Sequence, residues 1–283
     1  MRNVVLCLGL FFLIFPCFSQ QQESEGRPVN LVYQSTTLGI GGISVYDSYL
    51  SPLKYKGSAY DLFHEQIKMT GMMNGHIAAQ HQFNLDFGYS MNEPETASDY
   101  SGFIEYAYGL HYRFNPVVPK LQLFAGMQAA GLLGFIYNSR NGNNPATGKA
   151  HLNLNLSGIA AYQFEIKSQP VRLRYQLNVP FAGMMFSPHY GQSYYEISLG
   201  DDDDLVHLAS FHNQTSMRNI LSVEFPFSSV MLRLTYMNTI YETNINDLQT
   251  RVHTNVFCIG FSKDFFSVGG KKRPKNKYNG VFD

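Results

Sequence analysis

His151-Leu152-Asn153-Leu154-Asn155-Leu156-Ser157-Gly158-Ile159-Ala160-Ala161-Tyr162-Gln163-Phe164-Glu165-Ile166-Lys167 alternates residue by residue, and after Ser168-Gln169 the alternation resumes in Val171-Arg172-Leu173-Arg174-Tyr175-Gln176-Leu177-Asn178-Val179. Leu152, Leu154, Leu156, Tyr162, Phe164, Leu173, Tyr175 and Leu177 share one face, while His151, Asn153, Asn155, Gln163, Glu165, Arg172, Arg174 and Gln176 share the other. Period two over such a length marks β-strands. One face is oily for its whole length and the other carries hydrogen-bonding and charged groups. A strand of that kind suits the wall of a transmembrane β-barrel, apolar toward lipid and polar toward the lumen.

Further segments repeat the rhythm with turn residues between them. Strand-like runs fall at 31–46, 55–69, 75–90, 100–114, 120–137, 149–167, 170–184, 192–199, 205–212, 216–226, 230–242 and 249–266. The expected fold is therefore all-β, an antiparallel transmembrane barrel of about twelve strands. It becomes ten if the short runs 192–199 and 205–212 are loop. Connections after odd strands are longer and polar, as in Asp47–Lys54, Met91–Asp99 and Asn138–Gly148, and those after even strands are tighter. Outer-membrane barrels place long loops outside and short turns in the periplasm. An even strand count puts both termini in the periplasm.

Flanking segments differ from this core. Arg2, the apolar run Val4–Phe15 and Cys17-Phe18-Ser19 read as a cleaved secretory signal over 1–19. Residues 20–30 form a short N-terminal segment, 31–266 the barrel, and 267–283, with Lys271, Lys272, Arg273, Lys275 and Lys277, a basic flexible tail. Only Cys258 lies outside the signal, so no internal disulfide is expected. Basic and acidic residues number 21 each, which gives no electrostatic case for nucleic acid. No apolar run after the signal reaches the ~18 residues of a membrane helix. Tyr and Phe, at 19 and 22, supply material for interfacial girdles although Trp is absent.

The chain resembles an uncharacterised, domain-of-unknown-function family of outer-membrane proteins from anaerobic Gram-negative bacteria. The resemblance rests on Asp47-Ser48-Tyr49-Leu50-Ser51-Pro52-Leu53, Tyr137-Asn138-Ser139-Arg140-Asn141-Gly142-Asn143-Asn144-Pro145, Leu173-Arg174-Tyr175-Gln176, Phe186-Ser187-Pro188-His189-Tyr190-Gly191 and Tyr194-Tyr195-Glu196-Ile197. It implies fold and location, and it implies no activity.

Three constellations bear on function. The lumen face offers Glu165, Arg172, Arg174, Gln163, Gln176, His151, Asn153, Glu105 and Arg113. A Ser168-Gln169 turn predicts Glu165 opposite Arg172 and Gln163 opposite Arg174. Buried charges must pair, so these groups form either an ion-paired plug or the lining of a narrow path for small solutes. Ser187 and His189 invite a lipid or ester hydrolase reading, but no Gly-x-Ser-x-Gly elbow surrounds the serine. Asp201, Asp202, Asp203 and Asp204 are oxygen donors of the kind Ca²⁺ takes, without the spaced pattern of a calcium loop. No cofactor motif is present. The leading expectation is an outer-membrane barrel that serves as a narrow pore or as a structural or interaction protein. Its partners would be outer-membrane lipids, the barrel-assembly machinery during insertion, and small solutes. The alternatives are a membrane hydrolase and a soluble periplasmic β-protein binding an apolar ligand, whose apolar faces would turn inward.

Overall fold

Alternation this long leaves each strand able to satisfy its backbone only by pairing on both edges, and a ring meets that demand without leaving an edge. In the computed structural model, which describes residues 32–115, 118–200, 203–265 and 281–282, the chain forms such a ring. The strands are β1 (Val32–Asp47), β2 (Tyr55–Met69), β3 (Ile77–Asn92), β4 (Ser98–Arg113), β5 (Leu121–Asn138), β6 (Ala146–Ile166), β7 (Gln169–Phe186), β8 (Val206–Ser210), β9 (Gln214–Phe227), β10 (Val230–Ile245) and β11 (Leu248–Phe265). Neighbours pair antiparallel in chain order, β7 passes to β9, and β1 closes on β11 from Val32↔Phe265 to Asp47↔Thr250. The barrel has ten strands, and β8 lies outside the ten, paired with the upper end of β7.

Ten is the lower of the two expected counts. The run 192–199 is not a strand: its core is a short helix, α1 (Tyr194–Ser198), started by a reciprocal capping box between Ser193 and Glu196. Ser193-x-x-Glu196 is a helix-start signal, and here it outweighs the β propensity of Tyr194, Tyr195 and Ile197. The alternation of connection lengths is also weaker than expected. At the lower mouth, where β1 begins, 70–76 and 114–120 are as long as 48–54 and 139–145 at the upper mouth. The contrast rests on 187–213. The expected signal 1–19 and segment 20–30 lie outside the described residues, as does most of the tail. Within the tail, Val281 and Phe282 are buried in the lower lumen, so these two residues do not extend into solvent.

The β6–β7 register differs from the expected one by two residues. Glu165 pairs with Pro170, Gln163 with Arg172 and Ala161 with Arg174. The turn is Lys167-Ser168, both at positive φ (49° and 65°). Two such residues make the turn whose twist matches that of the flanking strands, and Asn246-Asp247 repeats it at the upper mouth (54° and 60°). Close approach elsewhere excludes a side chain altogether: a Cβ on Gly41 would lie 1.9 Å from the Asn255 carbonyl oxygen. The Gly39-Ile40-Gly41-Gly42 run thus lets the β1 and β11 backbones approach closely here.

Apolar residues face out. Leu38, Leu133, Leu154, Phe257 and Ile259 are exposed around the wall. A soluble barrel would bury them, so the soluble alternative is set aside. Aromatic clusters mark both rims: Tyr89, Tyr100 and Tyr137 above, and Tyr112 with Phe114, Tyr162 with Phe164, and Phe227 with Phe261 below. Along β4 the span from Tyr100 to Tyr112, at about 3.4 Å per residue and a tilt of about 45°, covers ~29 Å of membrane normal, close to the height of an apolar barrel band. Among the described residues no helix is long and apolar enough to cross a membrane. One polar row of the outer face satisfies itself across β7, β9, β10 and β11. Asn219 donates to Asn238 (3.1 Å), Asn238 to Asn255 (2.9 Å), and Tyr175 and Tyr236 cap the two ends (2.7 Å each).

Candidate functional site

The lumen is the site the fold builds. Inward parity on β2 places Tyr55, Ala59, Asp61, Phe63, Glu65 and Ile67 inside, and on β7 it places Arg172, Arg174, Gln176 and Asn178 inside. In a ring of ten, β2 and β7 face each other across the diameter. Glu65 accepts from Arg174 in a two-pronged pair (2.5 and 2.9 Å) and also pairs with Arg233 of β10. Arg172 bonds Glu224 of β9 at 3.0 Å, and the Tyr33 hydroxyl of β1 donates to Glu224. Arg174, Arg233, Glu65 and Glu224 are fully buried or nearly so. Two-pronged Arg–carboxylate pairs combine charge with fixed geometry, and together these bonds tie β1, β2, β7, β9 and β10 across the interior.

Amides form the next layer up. Gln80 donates to Gln176 (3.0 Å) and to Glu65 (3.0 Å), Asn178 donates to Gln82 (3.1 Å), and Gln128 donates to Gln80 (3.0 Å). His111 and Ser157 are in hydrogen-bond contact at 2.8 Å. Below the charges lies an apolar floor. The Phe282 ring packs edge-on against Tyr33 (5.1 Å) and Phe124 (5.9 Å), and the Arg172 and Arg174 guanidinium carbons stand 5.0 and 5.2 Å from its centroid. Gln163 donates to the Phe282 carbonyl at 2.8 Å.

The upper half is looser. Glu105 of β4 pairs with Arg218 of β9 at 2.5 Å. Cavities of about 40 and 60 Å³ flank this pair, the first touching Asp86 and Phe103, the second His151, Asn153 and Asn155. Asp61 and Asp86 are cross-strand partners on β2 and β3. Higher still, Lys149 pairs with Asp47 (2.7 Å). The loops above interlock: Tyr49 donates to the Gln192 carbonyl (2.9 Å), the Gly148 amide donates to the Tyr194 hydroxyl (2.5 Å), and Asn141 donates to the Leu50 carbonyl (3.0 Å). Burial pushes the Tyr49 hydroxyl up to about 12, so it remains a donor at neutral pH.

Of the residues expected in the lumen, Arg172, Arg174, Gln176, His151 and Asn153 are buried inside, and Glu105 is half-buried there on the same inward face. Glu165 does not join them. It sits exposed at the lower rim with Lys120 at 3.3 Å, because the register carries it past Arg172. Arg113 ends β4 at the lower mouth, half-buried, with its backbone bonded to His76. Ser187 donates to the Pro188 carbonyl (3.2 Å), while His189 approaches Asp204 at 3.9 Å, so the two do not form a serine–histidine relay here. Asp201 and Asp202 lie outside the described residues, and Asp203 and Asp204 are exposed. Among the described residues no group of three His, Cys, Asp or Glu side chains is placed to hold a metal.

Sequence reasoning missed the partners: Glu65, Glu224, Arg233, Arg218 and Tyr33. A usable signal was present, since each occupies the inward parity of its own strand. Which strands face one another across a ring, however, follows only from the strand count.

A family described as "Protein of unknown function (DUF3316)" matches residues 4–272. No curated protein matches the chain. Among solved structures, the translocator domain of the autotransporter NalP from Neisseria meningitidis is 10% identical, with 93% of this chain and 98% of that one covered and a TM-score of 0.40. An outer membrane channel from Pseudomonas putida F1 is 8% identical over 88% of this chain and 100% of that one, with a TM-score of 0.35. The beta domain of the Bordetella autotransporter BrkA gives 8%, 82%, 99% and 0.33 in the same terms. At such values the activities of those proteins say nothing about this one.

Proposed function

The chain belongs to the DUF3316 family, whose description names no activity, so we propose from the lumen itself that this is a bacterial outer-membrane β-barrel sealed in its resting state, a structural or interaction protein of the membrane. The observation that carries the reading is the Glu65–Arg174–Arg233–Glu224 layer, which crosses the diameter from β2 to β7 and lies on the Phe282 floor. An ion moving along the axis would have to break bonds between fully buried charges, and separating such groups is costly. The apolar outer wall and the two aromatic rims support the membrane placement. Export behind the 1–19 signal, insertion by the barrel-assembly machinery and contact with outer-membrane lipids belong to the same reading.

Planar-bilayer recording of the purified protein tests it. The expected trace shows no sustained conductance steps. Steady, reproducible steps would overturn the sealed reading in favour of the narrow pore, for which the two cavities beside Arg218 are the supporting observation.

A further inference from the structure

β7 is bonded to its later neighbours in two separate runs. Below, Arg172–Asn178 pairs with Glu224–Arg218 of β9; above, Ala182–Phe186 pairs with Ser210–Val206 of β8. Between them, residues 179–181 stand opposite residues 211–217, three against seven, with no ladder partner across the gap. β9 keeps its other neighbour throughout, and Gln214 pairs with Thr243 of β10. The wall is therefore parted on one side only. Pro180 has no N–H to offer across the gap, and the β6–β7 ladder shifts register at the same height, between Leu154 and Asn155.

The larger cavity lies behind this parting. Pro180, Gln214 and Ser216 line it at the seam, and His151, Asn153 and Asn155 line it at the back. Met217 and Ile240, cross-strand partners on β9 and β10, line it too. Five polar atoms here are buried without a protein hydrogen-bond partner: His151 Nδ1, Asn153 Oδ1, Asn155 Oδ1, Gln214 Nε2 and Ser216 Oγ. His151, Asn153, Asn155 and Gln214 are each at most 7% exposed. Buried polar groups are normally satisfied, and these five, unlike the unmatched atoms elsewhere in the lumen, line one cavity at the parted wall.

Their chemistry selects the ligand. Gln214 Nε2 donates, the two asparagine oxygens accept, and Ser216 does either. The Arg218 charge is already answered by Glu105, which leaves no demand for a charged guest. The geometry points to a binding site for a neutral polyol or amide head group of a few heavy atoms, entering through the β7–β9 seam. The site does not depend on whether the barrel conducts. A head group of this kind arrives either free in water or on a membrane lipid, and the parted wall is open to both.

The chain contains no Trp, so Met217→Trp places a single fluorophore at the seam. The protein, reconstituted in phosphatidylcholine vesicles, is titrated with 1-monooleoylglycerol in the membrane, with glycerol in the water phase, and with methyl oleate, which lacks hydroxyls. The expected result is a saturable fluorescence change with monooleoylglycerol, with glycerol, or with both, and none with methyl oleate. The midpoint should rise at least tenfold in the added variant Gln214→Met, which removes the amide at nearly constant length. The wild-type chain gives a second readout: the temperature at which its folded gel band disappears rises with the same polyol, and in Gln214→Met it does not. A response to monooleoylglycerol alone assigns a lipid source, and a response to glycerol a soluble one. No saturable response in either readout, an equal response to methyl oleate, or unchanged binding by Gln214→Met overturns the site.

Discussion

The lower and upper halves of one lumen are built from the same residue types and differ in how far those residues bond to one another. Below, Glu65, Arg174, Arg233 and Glu224 answer one another and the amides above them interlock, so that each of these side chains has partners even where single atoms such as Arg174 Nε and Gln82 Nε2 stay unmatched. Above, His151, Asn153, Asn155, Gln214 and Ser216 each leave an atom unmatched beside a cavity. The polar face of a barrel strand is thus not one kind of surface. Where opposite walls bring complementary groups within bond length it acts as a core, and where the wall parts it leaves unspent hydrogen-bonding capacity.

Substitutions can break this contrast. Glu65→Gln removes the shared counter-ion of Arg174 and Arg233, so it should cost roughly 3–5 kcal/mol, the usual penalty for stranding a buried charge; urea unfolding in detergent micelles measures it. Gln176→Met sits in the interlocked layer and removes the hydrogen bonds that Gln176 shares with Gln80, Asn178 and Arg174, an expected loss of about 2 kcal/mol in the same assay. Phe282→Ala removes a buried ring from the floor and should cost ~2 kcal/mol. It should also leave bilayer conductance unchanged, because the charged layer above still closes the axis. Gln214→Met should move the other way, raising stability by about 1 kcal/mol, since it deletes an amide with no partner. If Gln214→Met destabilises as Gln176→Met does, the two halves are alike and the contrast fails. Glu165→Gln touches only an exposed pair with Lys120 and should shift stability by less than about 0.5 kcal/mol.

Much of this was legible in the chain. Leu152 to Leu177 showed the strands, their faces and the sense of in and out, because period two is set by the backbone itself. The same period puts Arg172, Arg174 and Gln176 on one face of β7, where they are buried. Glu165 falls outside that set because the hairpin turn lies one residue earlier, at Lys167-Ser168, and displaces the pairs from Ile166 to Asn155 by two. Tyr194–Ser198 reads as a strand from its aromatic and β-branched residues, whereas the capping pair Ser193 and Glu196 starts a helix there. The partnership of Glu65 with Arg174 was out of reach: 109 residues separate them, and only a ring of ten makes β2 and β7 opposite.

Phe282 bears on the order of assembly. Its ring rests on Tyr33 of the first strand and Phe124 of the fifth, beneath two arginines of the seventh. That pocket does not exist until β1 and β11, the most distant strands in sequence, have met, and pairing at such separation is slow. The last residues of the chain are therefore a timestamp: protease resistance of the C-terminus should appear only after the barrel has closed, and never on an open sheet.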